Sequence, residues 1–180
     1  MPTFHAFLGC SLDGFIAGPT DEIDWLVSYD DVLGDTGYDD FFGSVDAVVM
    51  GRRSYEVIRG SGPGLYRSTP VHVLSRTVPE GPQAPLGDSA VTVHHDVDGL
   101  QVALTQAGVS RAYVDGGRTV QGFLAAGLLS DIVITRVPVL LGEGIPLFGP
   151  VPAPVTAELV ESRVLGAGAV QSVYRFATSG

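Results

Sequence analysis

Four of the ten arginines in this 180-residue chain fall in three short stretches, each closing an apolar run. They are Gly51-Arg52-Arg53-Ser54, Ser75-Arg76 and Gly116-Gly117-Arg118-Thr119. Each stretch offers guanidinium groups, hydroxyls or backbone N–H groups, and two of them precede an amphipathic pattern. A glycine-led helix start presents unsatisfied N–H groups and the positive end of the helix dipole, which suits an anion. Arginine adds a planar fork that matches phosphate oxygens. The pair Gly116-Gly117 suits a turn that something must approach closely. In a chain of net charge -10, such a local concentration of cations points to a small phosphorylated ligand and away from a polyanion.

These stretches need elements to hold them. Residues 3–12, 46–53, 70–76, 91–95 and 111–115 read as strands, apolar and rich in β-branched or aromatic residues. Helical stripes follow some of them: Leu100, Ala103, Leu104 and Ala107 in one, with Asp98 as its cap, and Val120, Phe123, Leu124 and Leu128 in another. A short helix begins at Ser54. Residues 30–43 read as a helix with Asp30 and Asp31 in its first turn, weakened by Gly34 and Gly37. Residues 77–90 hold three prolines and two glycines and read as a loop; 144–155 reads as a surface crossing. The chain then ends on strands alone. This order predicts one α/β domain over 1–180, with a mixed, mostly parallel sheet, helices on both faces and antiparallel C-terminal strands. In such a sheet ligands collect beyond the carboxyl ends of the strands, where all three stretches fall.

Composition excludes much else. There is no lysine, which removes Schiff-base chemistry and the lysine of a phosphate-binding P-loop. No Gly-x-Gly-x-x-Gly fingerprint, Gly-x-Ser-x-Gly elbow or calcium loop is present. His5, His72, His94 and His95 lack metal-ligand spacing, so no metal is expected. Cys10 stands alone, expected buried and inert, which suggests a reducing compartment. With no signal peptide or membrane span visible, the expectation is a cytoplasmic protein with no nucleic-acid or membrane partner.

Five segments in order carry a resemblance: SLDGFIAG (11–18), VVMGRRSYE (48–56), VHVLSR (71–76), YVDGGRTVQGFL (113–124) and VPVLLGEGIPLF (137–148). Together they resemble the dihydrofolate reductase superfamily, in the branch of the riboflavin-biosynthesis reductase (the RibD C-terminal domain). The resemblance implies the three-layer dihydrofolate-reductase-like fold and NADPH as cofactor. It places Gly51, Arg52, Arg53 and Ser54 at the pyrophosphate and 2′-phosphate. Leu74, Ser75 and Arg76 fall at the adenosine ribose and its 2′-phosphate. Gly116, Gly117, Arg118 and Thr119 cradle the pyrophosphate, Val120 lies nearer the nicotinamide, and Ile16 and Ala17 line it. Where the family carries a first-turn glycine this chain has Asp115, a carboxylate that must point away or pair with Arg118.

Reduction of a C=N or C=O bond also needs a proton. In folate-type relatives a Trp shortly precedes an acid at the first helix, which Trp25 and Asp30 resemble. Asp13 resembles a strand-end acid near the substrate; it also suits a turn with Gly14. The implied activity is an NADPH-dependent reductase acting on a small pterin-like, pyrimidine-like or carbonyl substrate, with Asp13, Trp25 and Asp30 as substrate contacts and Asp13 and Asp30 as catalytic candidates. The acidic 30–46 segment makes dihydrofolate itself a poor fit, and a ribose-phosphate pyrimidine, as in riboflavin biosynthesis, would need a second anion site, with Arg136 and Arg59 as candidates. A non-catalytic nucleotide- or pterin-binding protein and a flavin-linked reductase are the alternatives. Apolar residues on the late strands, such as Val133, Val139 and Leu141, leave room for a homodimer.

Overall fold

The structure is a computed structural model and describes residues 1–60 and 66–177. Among the described residues, eleven strands, six α-helices and a short 3-10 turn at Gly166–Gly168 follow one another. They are β1 (Thr3–Cys10), β2 (Phe15–Ala17), α1 (Asp24–Val27), α2 (Asp30–Leu33), α3 (Tyr38–Gly43), β3 (Ala47–Gly51) and α4 (Arg52–Gly60). Then come β4 (Val71–Leu74), β5 (Gly81–Leu86), β6 (Ser89–His94), α5 (Val97–Gln106), β7 (Arg111–Asp115) and α6 (Gly117–Ala125). The chain closes with β8 (Leu129–Arg136), β9 (Ile145–Pro146), β10 (Ala157–Val164) and β11 (Val170–Phe176).

The main sheet runs β10-β11-β8-β1-β7-β3-β4-β6-β5. From β8 to β6 every pairing is parallel, and the pairs β8–β11, β10–β11 and β5–β6 are antiparallel. This is the expected α/β architecture, with the antiparallel C-terminal strands at one edge. Strand β3 shows how the layers form. Its run AVVMG is apolar throughout because both of its faces are covered. Ala47 and Val49 pack with Leu100 and Leu104 of α5 and with Val120 and Phe123 of α6. Val48 and Met50 pack with Phe41 and Phe42 of α3 and with Tyr55 and Ile58 of α4. The Phe4 and Phe123 rings meet edge-on, 4.7 Å between centroids, tying β1 to α6.

Three local expectations are corrected. Residues 30–43 do not form one helix: Gly34 and Gly37, at φ 76° and 74°, break it into α2 and α3. The loop at 77–90 contains edge strand β5, where Pro82 and Pro85 are tolerated because one side of the strand needs no ladder partner. The cap of α5 is Asp96, whose carboxylate accepts from the Gly99 N–H at 2.7 Å, and Asp98 lies inside the first turn. The proline-rich crossing also contributes β9, which pairs with β2.

Strand order brings the site together. The chain passes from β1 to β3, skips one place, moves outward to β4 and β6, then returns to insert β7 between β1 and β3. The direction of winding reverses there. Adjacent connections diverge at such a point and leave a crevice beyond the carboxyl ends.

Candidate active site

That crevice is a cleft of about 980 Å³ at the ends of β1, β7, β3 and β4. Its walls include Gly51, Arg52, Arg53, Ser54, Leu74, Ser75, Arg76, Gly116, Gly117, Arg118, Thr119, Ile16 and Ala17. All three arginine-bearing stretches therefore converge on one space, together with β2. Val120 is fully buried beneath the turn, packed in the core.

The two helix-opening turns interlock through their glycines. Ser54 of α4 lies over Gly116: a Cβ there would sit 2.3 Å from Ser54 Oγ, and φ of +91° bars ordinary side chains as well. Thr119 of α6 reciprocates, its Oγ1 2.9 Å from where a Gly51 Cβ would be. Ile16 Cδ1 would lie 2.0 Å from a Cβ on Gly117. Side chains at these positions would displace Ser54, Thr119 and Ile16 and force the two turns apart. The start of α6, Gly116 to Thr119, lines the cleft, where the unsatisfied N–H groups of a helix N-terminus suit an anion.

The arginines divide into two kinds. Arg52 pairs with Glu56 at 2.8 Å along α4, and Arg53 pairs with Asp21 from the turn after β2. Arg76 and Arg118 are exposed and have no ion pair among the described residues. The latter two are free to meet a phosphate, whereas the former must exchange a carboxylate for it. Ser75 is already engaged: its Oγ accepts from the N–H groups of Thr77 and Val78 at 3.2 and 3.1 Å and shapes the turn after β4.

Beyond this polar part the cleft becomes apolar, walled by Phe7, Leu8, Gly9, Ile23 and Leu26. At the junction lies Asp115, with Tyr66 and Tyr113. Asp115 makes no ion pair with Arg118 among the described residues. The Tyr66 hydroxyl donates to its Oδ2 in a short hydrogen bond. Tyr113 donates to the Phe7 carbonyl at 3.2 Å. Burial raises the Asp115 carboxyl above the ordinary carboxylate range, against the opposing pull of hydrogen bonds from Tyr66, the Gly116 N–H and Tyr113. Burial, then the charge of Asp115, also raises Tyr66 and Tyr113, and pushes Tyr38 up to about 12.

The expected proton donors lie elsewhere. Asp13 accepts from Ser11 Oγ at 2.6 Å and from the N–H groups of Leu141 and Gly142 at 3.2 and 2.8 Å. It ties the end of β1 to the 141–142 turn, and the Ser11 bond, foremost, lowers its pKa. Asp30 is exposed on α2. Trp25 packs on Leu33, Val137 and Ala169 and donates from Nε1 to the Glu22 carbonyl at 3.2 Å. None of the three lines the cleft. The sequence singled out Asp115 only as a departure from the family turn. Its i, i+2 spacing from Tyr113 on a strand puts both on one face, a local signal, whereas Tyr66 arrives from a distant segment with no signal of its own.

The remaining candidates are inert. Cys10 is fully buried and burial raises its thiol pKa. His72 and His94 stack against each other, 2.9 Å between Nδ1 and Nε2, and burial lowers His72 to about 4. Among the described residues no group of acidic, histidine or cysteine side chains could hold a metal ion, and no helix is long and apolar enough to cross a membrane.

Comparison with known proteins agrees with this geometry. The uncharacterized protein YwjB of Bacillus subtilis (strain 168) is 31% identical over 144 residues, covering 79% of this chain and 80% of YwjB. A crystal structure from Shewanella sp. PV-4, described as a candidate riboflavin biosynthesis protein, superposes with a TM-score of 0.85 at 33% identity, covering 97% of this chain and 99% of that one. Dihydrofolate reductase from Enterococcus faecalis, solved with NADP(H), shares the fold at a TM-score of 0.61 and 16% identity, over 97% of this chain and 96% of that one. The sequence model of the RibD C-terminal domain matches residues 2–171, and the chain belongs to that family of reductase fold.

Proposed function

We propose that the protein is an NADPH-dependent reductase that passes hydride to a small heterocyclic substrate, pterin-like or pyrimidine-like, or to a small carbonyl compound. The observation that carries this reading is the convergence of three phosphate-suited strand ends on a cleft whose far part is apolar and aromatic. The residues fit the cofactor: glycines at 51, 116 and 117 let Thr119, Ser54 and Ile16 pack closely against the two turns, and all of these residues line the cleft. Among the described residues, Arg76 and Arg118 stand without carboxylate partners. The bound dinucleotide would supply the hydride; the protein's task is to orient and shield.

In this reading the N–H groups opening α6 and the Arg118 guanidinium hold the pyrophosphate. Arg76, with Arg52, meets the 2′-phosphate through charge-assisted hydrogen bonds. Ile16 and Ala17 press on the nicotinamide side, and Phe7, Leu8 and Leu26 keep water from the reacting ring. The same reading includes a homodimer through the late strands, supported by the exposed Leu159, Val160 and Val164 of edge strand β10. Light scattering should give twice the 18.8 kDa chain mass; a monomer at micromolar concentration would refute it.

The reductase reading is tested by mixing the protein and NADPH with dihydrofolate, with 5-amino-6-(5-phosphoribosylamino)uracil and with simple aldehydes, following loss of the reduced nicotinamide absorbance. Loss that depends on one of these compounds is expected. Intact NADPH binding with no loss in any mixture would favour a non-catalytic binding protein of the same fold.

A further inference from the structure

A substrate carrying a ribose phosphate needs a second anion site, for which the sequence offers Arg59 and Arg136. Neither lines the cleft. Arg59, in the last turn of α4, lies over the Tyr55 ring with its guanidinium carbon 5.4 Å from the centroid. Arg136 is exposed at the end of β8, as the register partner of Cys10. No other cation takes their place. The chain has no lysine, and all ten arginines fall among the described residues. Arg52, Arg53, Arg76 and Arg118 line the cleft, all in the helix-opening and strand-end turns. Arg67 is bound to Asp39, and Arg111 lies over the Phe41 ring at 5.7 Å. Arg163 donates from Nε to Gln171 Oε1 at 2.9 Å, and Arg175 stands opposite Asp131 of β8. None of the histidines lines the cleft either.

The four cleft arginines are already committed. Arg52 faces Glu56 and Arg53 faces Asp21. In the reductase reading, Arg76 and Arg118 meet phosphates of the cofactor. The walls also hold the carboxyl groups of Asp21, Glu56 and Asp115, so the guanidinium groups are largely offset before any ligand arrives. Once the cofactor's phosphates are in place, the field in the cleft is negative. A further phosphate finds no partner and meets repulsion, which discriminates strongly against a ligand that carries one.

The rest of the cleft suits an uncharged ring. Its walls are Phe7, Leu8, Ile23 and Leu26, with Gly9 between them. Leu26 lies directly on Gly9: a Cβ there would stand 2.8 Å from both Leu26 Cδ atoms. Bare backbone at such a place allows close approach of another group. The Tyr113 hydroxyl is engaged by the Phe7 carbonyl and the Tyr66 hydroxyl by Asp115. Burial of a planar apolar surface, not ion pairing, is the interaction this half of the cleft provides.

We propose that this half of the cleft takes an uncharged planar heterocycle without a phosphate, as the free pterin or pyrimidine ring or its unphosphorylated riboside, and rejects the ribose-phosphate form. The inference rests on the reductase reading above, which gives the cleft's arginines to the cofactor, and adds the charge of the substrate.

The test uses the protein saturated with NADP⁺, which fills the cofactor part without turnover. Matched probes are titrated by ligand-observed NMR: 5-amino-6-ribosylaminouracil with its 5′-phosphate, and dihydroneopterin with its phosphate. In any pair that binds, the unphosphorylated member is expected to bind at least about tenfold more tightly, the discrimination of an unpaired like charge. Raising the salt from about 0.01 to 0.15 M should narrow that gap, since the screening length falls from about 30 to about 8 Å. Ile23→Arg, at a half-exposed wall position, should narrow it too by supplying the missing cation. Equal or tighter binding of a phosphorylated member overturns the proposal. So does the failure of both unphosphorylated probes to bind, and so does a gap that neither salt nor Ile23→Arg changes. The wild-type comparison and its salt dependence carry the test on their own if that variant does not fold. Failure to bind NADP⁺ at all would sink the reductase reading itself, a result distinct from any preference between the probes.

Discussion

Replacing Gly116 by alanine should damage both stability and cofactor binding, and a second glycine separates the causes. Gly116 has φ of 91° and ψ of 130°, a region nearly closed to residues with a Cβ. Holding alanine there costs about 1–3 kcal/mol. The new methyl would also stand 2.3 Å from Ser54 Oγ, so Ser54 must swing out of its place between the two turns. A total near 2 kcal/mol corresponds to a Tm decrease of roughly 4–8 °C for a chain of this size. Gly34 is a matched control: its φ of 76° and ψ of -155° impose similar strain, nothing lies within 4 Å of a Cβ there, and it is remote from the cleft. Thermal unfolding and NADPH calorimetry on both variants decide the matter. Both alanine variants should melt earlier, and Gly116→Ala alone should bind NADPH at least about tenfold more weakly, a loss near 1.4 kcal/mol. Gly116→Ala with wild-type affinity would refute the idea that this turn is a phosphate cradle.

The titration shifts give two more predictions. Asp115 has a folded pKa raised by burial, so the native state holds its proton to higher pH than the unfolded chain does. Its stability contribution is fully present below the unfolded carboxylate value and declines as pH rises through the folded one. Asp115→Asn lacks this slope, and its Tm should gain on wild type as pH rises; a constant difference would contradict the burial cause. Asp13 is the opposite case, lowered chiefly by Ser11. Its contribution is present above the unfolded value and lost as pH falls through the folded one, so Asp13→Asn should melt earlier at neutral pH and converge with wild type in acid.

How much of this was legible in the sequence depended on how local each signal was. The buried strands were clear because AVVMG and RAYVD are apolar runs with no competing period. Helix α6 was clear because Val120, Phe123 and Leu124 recur on one face and all become buried. The three arginine-bearing stretches were readable because each is a contiguous turn at a strand end, and only the sheet order was needed to join them. Strand β5 was hidden because prolines ordinarily forbid a ladder, and the exception for an edge appears only when the neighbours are known. The cap of α5 was misplaced by two residues because Asp96 and Asp98 are both credible caps. The Tyr66–Asp115 contact spans 49 residues and joins a loop to a strand end, so no spacing rule could reveal it. Asp13, a plausible acid in the sequence, proved to be spent on holding Leu141 and Gly142, which depends on a loop more than a hundred residues away.

The account stands or falls on the cofactor. Calorimetric titration with NADPH and, separately, NADH tests it most directly, on wild type and on Arg76→Ala. The geometry predicts micromolar NADPH affinity, weakened about tenfold or more for NADH and for Arg76→Ala, since each removes a charge-assisted contact worth about 1.5–3 kcal/mol. No binding of either dinucleotide by the wild-type protein would contradict it.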